Sequence, residues 1–176
     1  GISIHQIFQS RHLEFKTVVS EKTGELSKKH IAKYHYLTLT IYDSGSVYVS
    51  GSIHKFWNSI NNIKAPNYNP KKIDKGYNGN QFSYIDLLKA IKLIEYISDC
   101  SSNQMALMSF EIGMNLQPKF DPRVFIKGLL YHAGLSFNFK HKDNYAFVIH
   151  NNYIIKIYNK GKQYGLIENI IRIEVK

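Results

Sequence analysis

Near the end of the chain a tyrosine, Tyr158, stands between two lysines, Lys156 and Lys160, and a glutamate, Glu174, follows fourteen residues after Lys160. A phenol in such company can become a nucleophile, because a phenolate attacks phosphorus and forms a covalent phosphotyrosine. A lysine close by favours the phenolate or stabilises the charge that develops in the transition state. His54, Glu111, Asn115 and Arg172 add an imidazole, a second carboxylate, an amide and a guanidinium. An imidazole with carboxylates and an amide oxygen can hold a divalent cation such as Mn²⁺ or Mg²⁺, which polarises a scissile phosphate and neutralises its charge. An oxygen-rich set with one imidazole argues against structural zinc. Plainer uses exist for each residue. His54 can cap a strand end or stack on Trp57, and Glu111 and Glu174 can pair with Lys156 and Arg172 across strands. Tyr158 is one of 13 tyrosines, so only its neighbours distinguish it. Tyr164 also follows a lysine-rich turn and is a rival.

Strands would have to bring these side chains together, since residues two apart on a strand share a face. YHYLTLTIY, the Asp43-Ser44-Gly45 turn and SVYVSGSIHKF read as a hairpin. It sets Leu37, Leu39 and Ile41 against Thr38, Thr40 and Tyr42, and Val47, Val49, Gly51 and Ile53 against Tyr48, Ser50, Ser52 and His54. MALMSFEIGMNLQ sets Met108, Phe110, Ile112, Met114 and Leu116 against Ser109, Glu111, Gly113 and Asn115. YIIKIYNK sets Tyr153, Ile155 and Ile157 against Ile154, Lys156 and Tyr158. NIIRIEVK sets Ile171, Ile173 and Val175 against Arg172, Glu174 and Lys176. Almost every strand has one apolar and one chemical face. If the apolar faces turn toward helices, the chemical residues share one surface.

Two helices are expected. Ser83 caps YIDLLKAIKLIEYIS, where Leu87, Leu88, Ile91 and Ile94 recur at helical spacing. Asp121-Pro122 opens the second as N-cap and first residue, and that helix runs to about His132, before Gly134. Residues 1–33 lack a clear pattern apart from strand character at Phe15–Ser20 and a turn at Lys22-Thr23-Gly24. NYAFVIH and YIIKIYNK form a second hairpin around Asn151-Asn152. The expected architecture is α+β: a two-layer sandwich whose central, mainly antiparallel sheet of five to six strands carries two helices on one face. The length fits one domain over residues 1–176, with a basic loop at 55–80.

Charge points to a partner. Lys and Arg number 23 against 13 Asp and Glu, a net charge of +10, which is the electrostatic footprint of nucleic-acid binding. Lys55, Lys64, Lys71 and Lys72 lie in the loop, where Trp57, Phe56, Tyr68 and Tyr77 could stack on bases or cover the edge of the core. Only Arg11, Arg123 and Arg172 are arginines, and lysines suit phosphate neutralisation rather than bidentate base reading. The single Cys100 excludes an intramolecular disulfide and a cysteine-based zinc site. There is no apolar run of about eighteen residues to span a membrane. The start, GISIHQIFQS, lacks the pattern of a secretion signal. A cytoplasmic protein without a membrane partner is expected.

Ile155–Gln163, I-K-I-Y-N-K-G-K-Q, followed by Ile171–Val175, I-R-I-E-V, resembles the end of the nickase domain of rolling-circle replication initiators. These are the Rep proteins of phages, plasmids and related mobile elements. Gly51–Phe56 and Phe110–Asn115 resemble other recurring blocks of that family, and the likeness spans roughly Tyr36 to Lys176. The resemblance implies an HUH-type (ferredoxin-like) fold and a site-specific DNA nickase. Tyr158 would be the nucleophile and Lys160 its partner lysine, with Lys156 beside them. His54, Glu111 and Glu174 would lie at the metal, Mn²⁺ or Mg²⁺. Lys55, Trp57, Lys64, Lys71, Lys72 and Arg172 would hold single-stranded or hairpin origin DNA, with a host replication helicase as a further partner. The sequence departs from the family at three points: Ser52 stands where a His-hydrophobic-His pair would place the first histidine, Asn159 replaces an Asp, and Gln163 replaces a Glu. Two other functions remain open on the residues alone: a non-catalytic single-stranded nucleic-acid-binding module that uses the sheet face, and a metal-dependent nuclease that uses water instead of tyrosine.

Overall fold

The computed structural model describes residues 7–19 and 22–176. The first six residues of GISIHQIFQS, and Ser20 at the end of the expected first strand, lie outside the described residues. The chain forms two compact units, one of Gly1–Lys64 with Ile73–Ala106, the other of Ala65–Lys72 with Leu107–Lys176. The structure is α+β with mostly antiparallel sheets. Among the described residues, no helix is long and apolar enough to cross a membrane.

The first unit carries a meander of four antiparallel strands, β1 (Lys16–Val19), β2 (Leu26–Tyr34), β3 (Leu37–Tyr42) and β4 (Val47–Gly51), paired in chain order. The expected hairpin is β3–β4, but it belongs to this sheet and not to the one holding Tyr158. β2 was not legible: residues 26–34, LSKKHIAKY, are too polar to alternate cleanly. After β4 the strand expected to continue through His54 becomes helix α1 (Ile53–Ile60). Two local features cause the break. Gly51 adopts φ +135, and a Cβ there would strike the carbonyl oxygen of Tyr36, so this bend needs glycine. Ser52 then caps the helix, its side chain accepting from the Lys55 amide. The basic loop at 55–80 is therefore helical up to Ile60. Helix α2 (Tyr84–Ser98) has the expected Ser83 cap, and Asp86 completes a reciprocal capping box. Ala32, Leu37 and Leu39 of the sheet pack with Phe56 of α1 and with Ala90, Ile94 and Ile97 of α2. Phe56 is fully buried, a burial that contributes roughly 2–3 kcal/mol.

The second unit is built on a five-stranded sheet in the order β5 (Ile112–Leu116), β11 (Ile171–Val175), β10 (Ile154–Asn159), β9 (Tyr145–Ile149) and β8 (Asn138–Lys140). Its pairs are all antiparallel. Asp121 and Pro122 open helix α3 as expected, but it ends at Lys127, with Gly128 as its C-cap. His132 lies instead in a short ribbon of β6 (Tyr131–His132) and β7 (Leu135–Ser136). Ile126 of α3 packs with Phe137, Ala146, Val148, Ile157 and Ile171. The apolar face is thus buried over the middle of the sheet. On β5, Ile112 and Met114 remain 65% and 57% exposed, so helices do not cover every apolar strand face as expected. β10 ends at Asn159, whose side chain accepts from the Lys162 amide and caps helix α4 (Lys160–Tyr164). Asn is among the preferred residues at this cap position.

Candidate functional site

Strand register assembles the site. Lys156 lies opposite Glu174, and Tyr158 opposite Arg172. Arg172 lies opposite Asn115, and Glu174 opposite Gly113. On the other side of β10, Tyr158 faces Tyr145 and Lys156 faces Phe147. These side chains occupy the face opposite Ile157 and Ile171, as alternation requires. The chain reversal at Asn159 then turns Lys160 back toward Tyr158.

Glu174 is the hub. It is only 5% exposed, and its Oε1 accepts from the Tyr158 hydroxyl at 2.7 Å and from Arg172 Nε at 2.6 Å. Lys160, 1% exposed, donates from Nζ to the Tyr158 oxygen at 3.1 Å. The same ammonium lies 5.1 Å from the Tyr158 ring centre and 4.8 Å from that of Tyr164. Arg172 also donates from Nη1 to Asn115 Oδ1 at 3.1 Å. A Cβ on Gly113 would lie 2.5 Å from the Arg172 guanidinium, so the missing side chain makes room for it. Lys156 pairs with Glu111, and its Nζ is 4.0 Å from Glu174 Oε2. The Tyr145 ring stacks on that of Tyr158, centroids 5.7 Å apart.

These contacts set the charge states. Burial pushes the Tyr158 phenol well up, and the Glu174 carboxylate adds to the rise by accepting its proton and by its charge. Burial also works against the charge of Glu174, but hydrogen bonds from Tyr158 and Arg172, with the Arg172 and Lys160 charges, outweigh it and hold its carboxyl below the usual range. Lys156 loses solvation, yet Glu111 and Glu174 raise its affinity for a proton. At rest the site is a neutral phenol gripped by a carboxylate and an ammonium.

Tyr158, Lys160, Lys156, Glu111, Glu174 and Arg172 therefore meet in one network. Glu111 and Glu174 do pair with Lys156 and Arg172, the plainer use available to them. His54 does not share this face. It lies on α1 in the other unit, because Gly51 and Ser52 end the strand that was expected to carry it. There its Nε2 is 2.9 Å from Asn80 Oδ1, and its ring stacks on Phe82 at 4.5 Å. Asn58, one helical turn on and fully buried, donates to Tyr77 O at 2.8 Å and to Asn80 Oδ1 at 2.6 Å. Asn58 and Asn80 were not singled out from sequence. The available signal was the spacing of His54 and Asn58, which places both on one helix face.

Of the basic loop, Lys55 donates to Lys75 O at 2.8 Å and Lys64 pairs with Asp74 at 3.0 Å. Trp57 packs against the first core, while Lys71 and Lys72 are exposed. Within the second unit, Glu111 and Glu174 flank the Lys156 ammonium. Among the described residues no three His, Cys, Asp or Glu side chains are grouped to hold a metal ion; of the expected ligands, Glu111 and Glu174 belong to the second unit and His54 to the first. Compared with protein families, curated proteins and solved structures, the chain has no match in any of the three.

Proposed function

We propose that the second unit is an HUH-like nickase centre that cuts single-stranded origin DNA through Tyr158. The observation that carries this reading is the Tyr158 hydroxyl, held between a carboxylate that can take its proton and a buried ammonium. In the reaction the Tyr158 oxygen bonds to phosphorus, the bond from phosphorus to the 3′ oxygen breaks, and the phenolic proton passes to Glu174. The departing 3′ oxygen gains a proton from Lys160 or solvent, leaving a 3′-hydroxyl and a 5′-phosphotyrosine. Arg172 and Lys156 supply positive charge beside the phosphate. The resting charge states favour the protonated phenol, so the incoming DNA must disturb the bond from Tyr158 to Glu174 before attack. A divalent cation at Glu111 and Glu174, in competition with Lys156, would supply further neutralisation of the phosphate. Tyr164 fits the role of nucleophile less well, being 4% exposed. Exposed Lys71 and Lys72 would add phosphate contacts.

The test is a labelled single-stranded origin oligonucleotide incubated with Mn²⁺ and the protein. A covalent adduct is expected from wild type and none from Tyr158→Phe; an adduct that survives in Tyr158→Phe overturns the assignment. A second reading has its own observation. Tyr145, Phe147 and Tyr158 form an aromatic row on the same face, with Lys140 Nζ 4.9 Å from the Phe147 ring centre. Such a row suits stacking with single-stranded bases. Salt-sensitive DNA binding by wild type, without any adduct, would select that non-catalytic module.

A further inference from the structure

Two histidines outside the tyrosine network face each other nitrogen to nitrogen. His132 ends β6, and His150 follows β9, where its amide donates to Tyr153 O at 2.9 Å and closes the hairpin. His132 Nδ1 lies 3.0 Å from His150 Nε2. The Tyr153 ring stacks on His150 at 4.4 Å and 22°, and meets His132 edge-on at 6.2 Å. Neither histidine forms an ion pair with a carboxylate, and no third His, Cys, Asp or Glu joins them in a metal-binding group among the described residues. Two facing imidazoles can share a single proton in a hydrogen bond. They can also present both nitrogens to one ion, because metal–nitrogen bonds of about 2.0–2.1 Å at a right angle place the two nitrogens about 3 Å apart.

We propose that His132 and His150 form a metal-binding site for a transition-metal dication of the zinc type, separate from the carboxylate site considered for Mn²⁺ or Mg²⁺. The donors are imidazole nitrogens alone, which suit Zn²⁺, Ni²⁺ or Cu²⁺ better than the oxygen-seeking Mg²⁺. Binding requires both facing nitrogens to lose their proton. In a neutral pair the donor ring achieves this by moving its proton to its other nitrogen, so no net proton need be released. Tyr153 limits rotation of the His150 ring and keeps the bite in place. The remaining coordination positions are open to water or to an incoming ligand. This site does not depend on Tyr158 being a nucleophile.

The test uses the tag-free 176-residue chain and Zn²⁺ alone, followed by calorimetry and by ¹⁵N shifts of the histidine rings. One saturable site is expected, with shifts at His132 Nδ1 and His150 Nε2. His132→Ala and His150→Ala should each weaken binding by at least about tenfold, and His30→Ala, on β2 of the first unit, should leave it unchanged. The ring shifts in wild type decide the matter even if a variant fails to fold. Zn²⁺ that shifts other rings, that binds both histidine variants as well as wild type, or that does not bind at all would overturn the proposal.

Discussion

The two units each bury a polar cluster against a sheet, and the clusters differ in kind. In the first, His54, Asn58 and Asn80 tie helix α1 to the loop around Tyr77. The asparagine amides do not titrate, and their bonds are short-range and neutral. In the second, Glu174 gathers Tyr158, Arg172 and Lys160 into a charged network. The amide bonds of Asn58 and Asn80 hold a shape without carrying charge themselves. A network of the second kind stores an imbalance that a phosphate, a cation or a change of pH can tip.

Removing the hub should separate the two most strongly. Glu174→Ala strands Arg172 and Lys160 without their carboxylate, a loss of roughly 3–5 kcal/mol. Hydrogen exchange at β10 and β11 amides should show it, with β3 protection changed less. Equal losses in both sheets would mean that the units unfold together and that the contrast has no energetic content. Asn58→Ala leaves the Tyr77 carbonyl without its buried donor and should cost about 1–3 kcal/mol, read at β3 and α1 amides. The smallest effect is the dependence on pH. The depressed Glu174 carboxyl contributes stability above the ordinary carboxylate value of about 4, and this is lost as pH falls. The raised Tyr158 phenol contributes stability below about pH 10, and this is lost as pH climbs past it. Protection at β10 and β11 should therefore narrow at both ends of the pH range, while Glu174→Gln flattens the acid limb. An acid limb unchanged in Glu174→Gln would remove Glu174 from the account.

What was legible in the sequence followed from strict local rules. Two-residue alternation put Lys156, Tyr158, Arg172 and Glu174 on one face, and the strand register delivers them there. The caps at Ser83 and Asp121 fixed two helix starts. The failures came where one residue redirects the chain. Ile53, Phe56, Trp57 and Ile60 have helical spacing after a capping serine, whereas strand parity extended past Gly51 places His54 on the sheet. Residues 160–164, too short for a periodic signal, turned out helical, and that turn brings the Lys160 ammonium onto the phenol. Which strands join which sheet was not legible, because alternation specifies a face and not a neighbour.

The division of the chain carries a practical consequence for dissection. Ala65–Lys72 belongs to the second unit although first-unit sequence flanks it on both sides. Within that unit Asn67 donates from its amide to Gln163 O at 3.2 Å, and its Cβ lies 3.2 Å from where a Cβ on Gly165 would stand. The two units are therefore interleaved along the polypeptide. A truncation starting at Leu107 would keep every residue of the tyrosine network and still lack a piece that braces the end of α4, so inactivity of such a fragment would say nothing about Tyr158. Separating the units cleanly calls for a rewired gene that carries residues 65–72 across with the C-terminal segment.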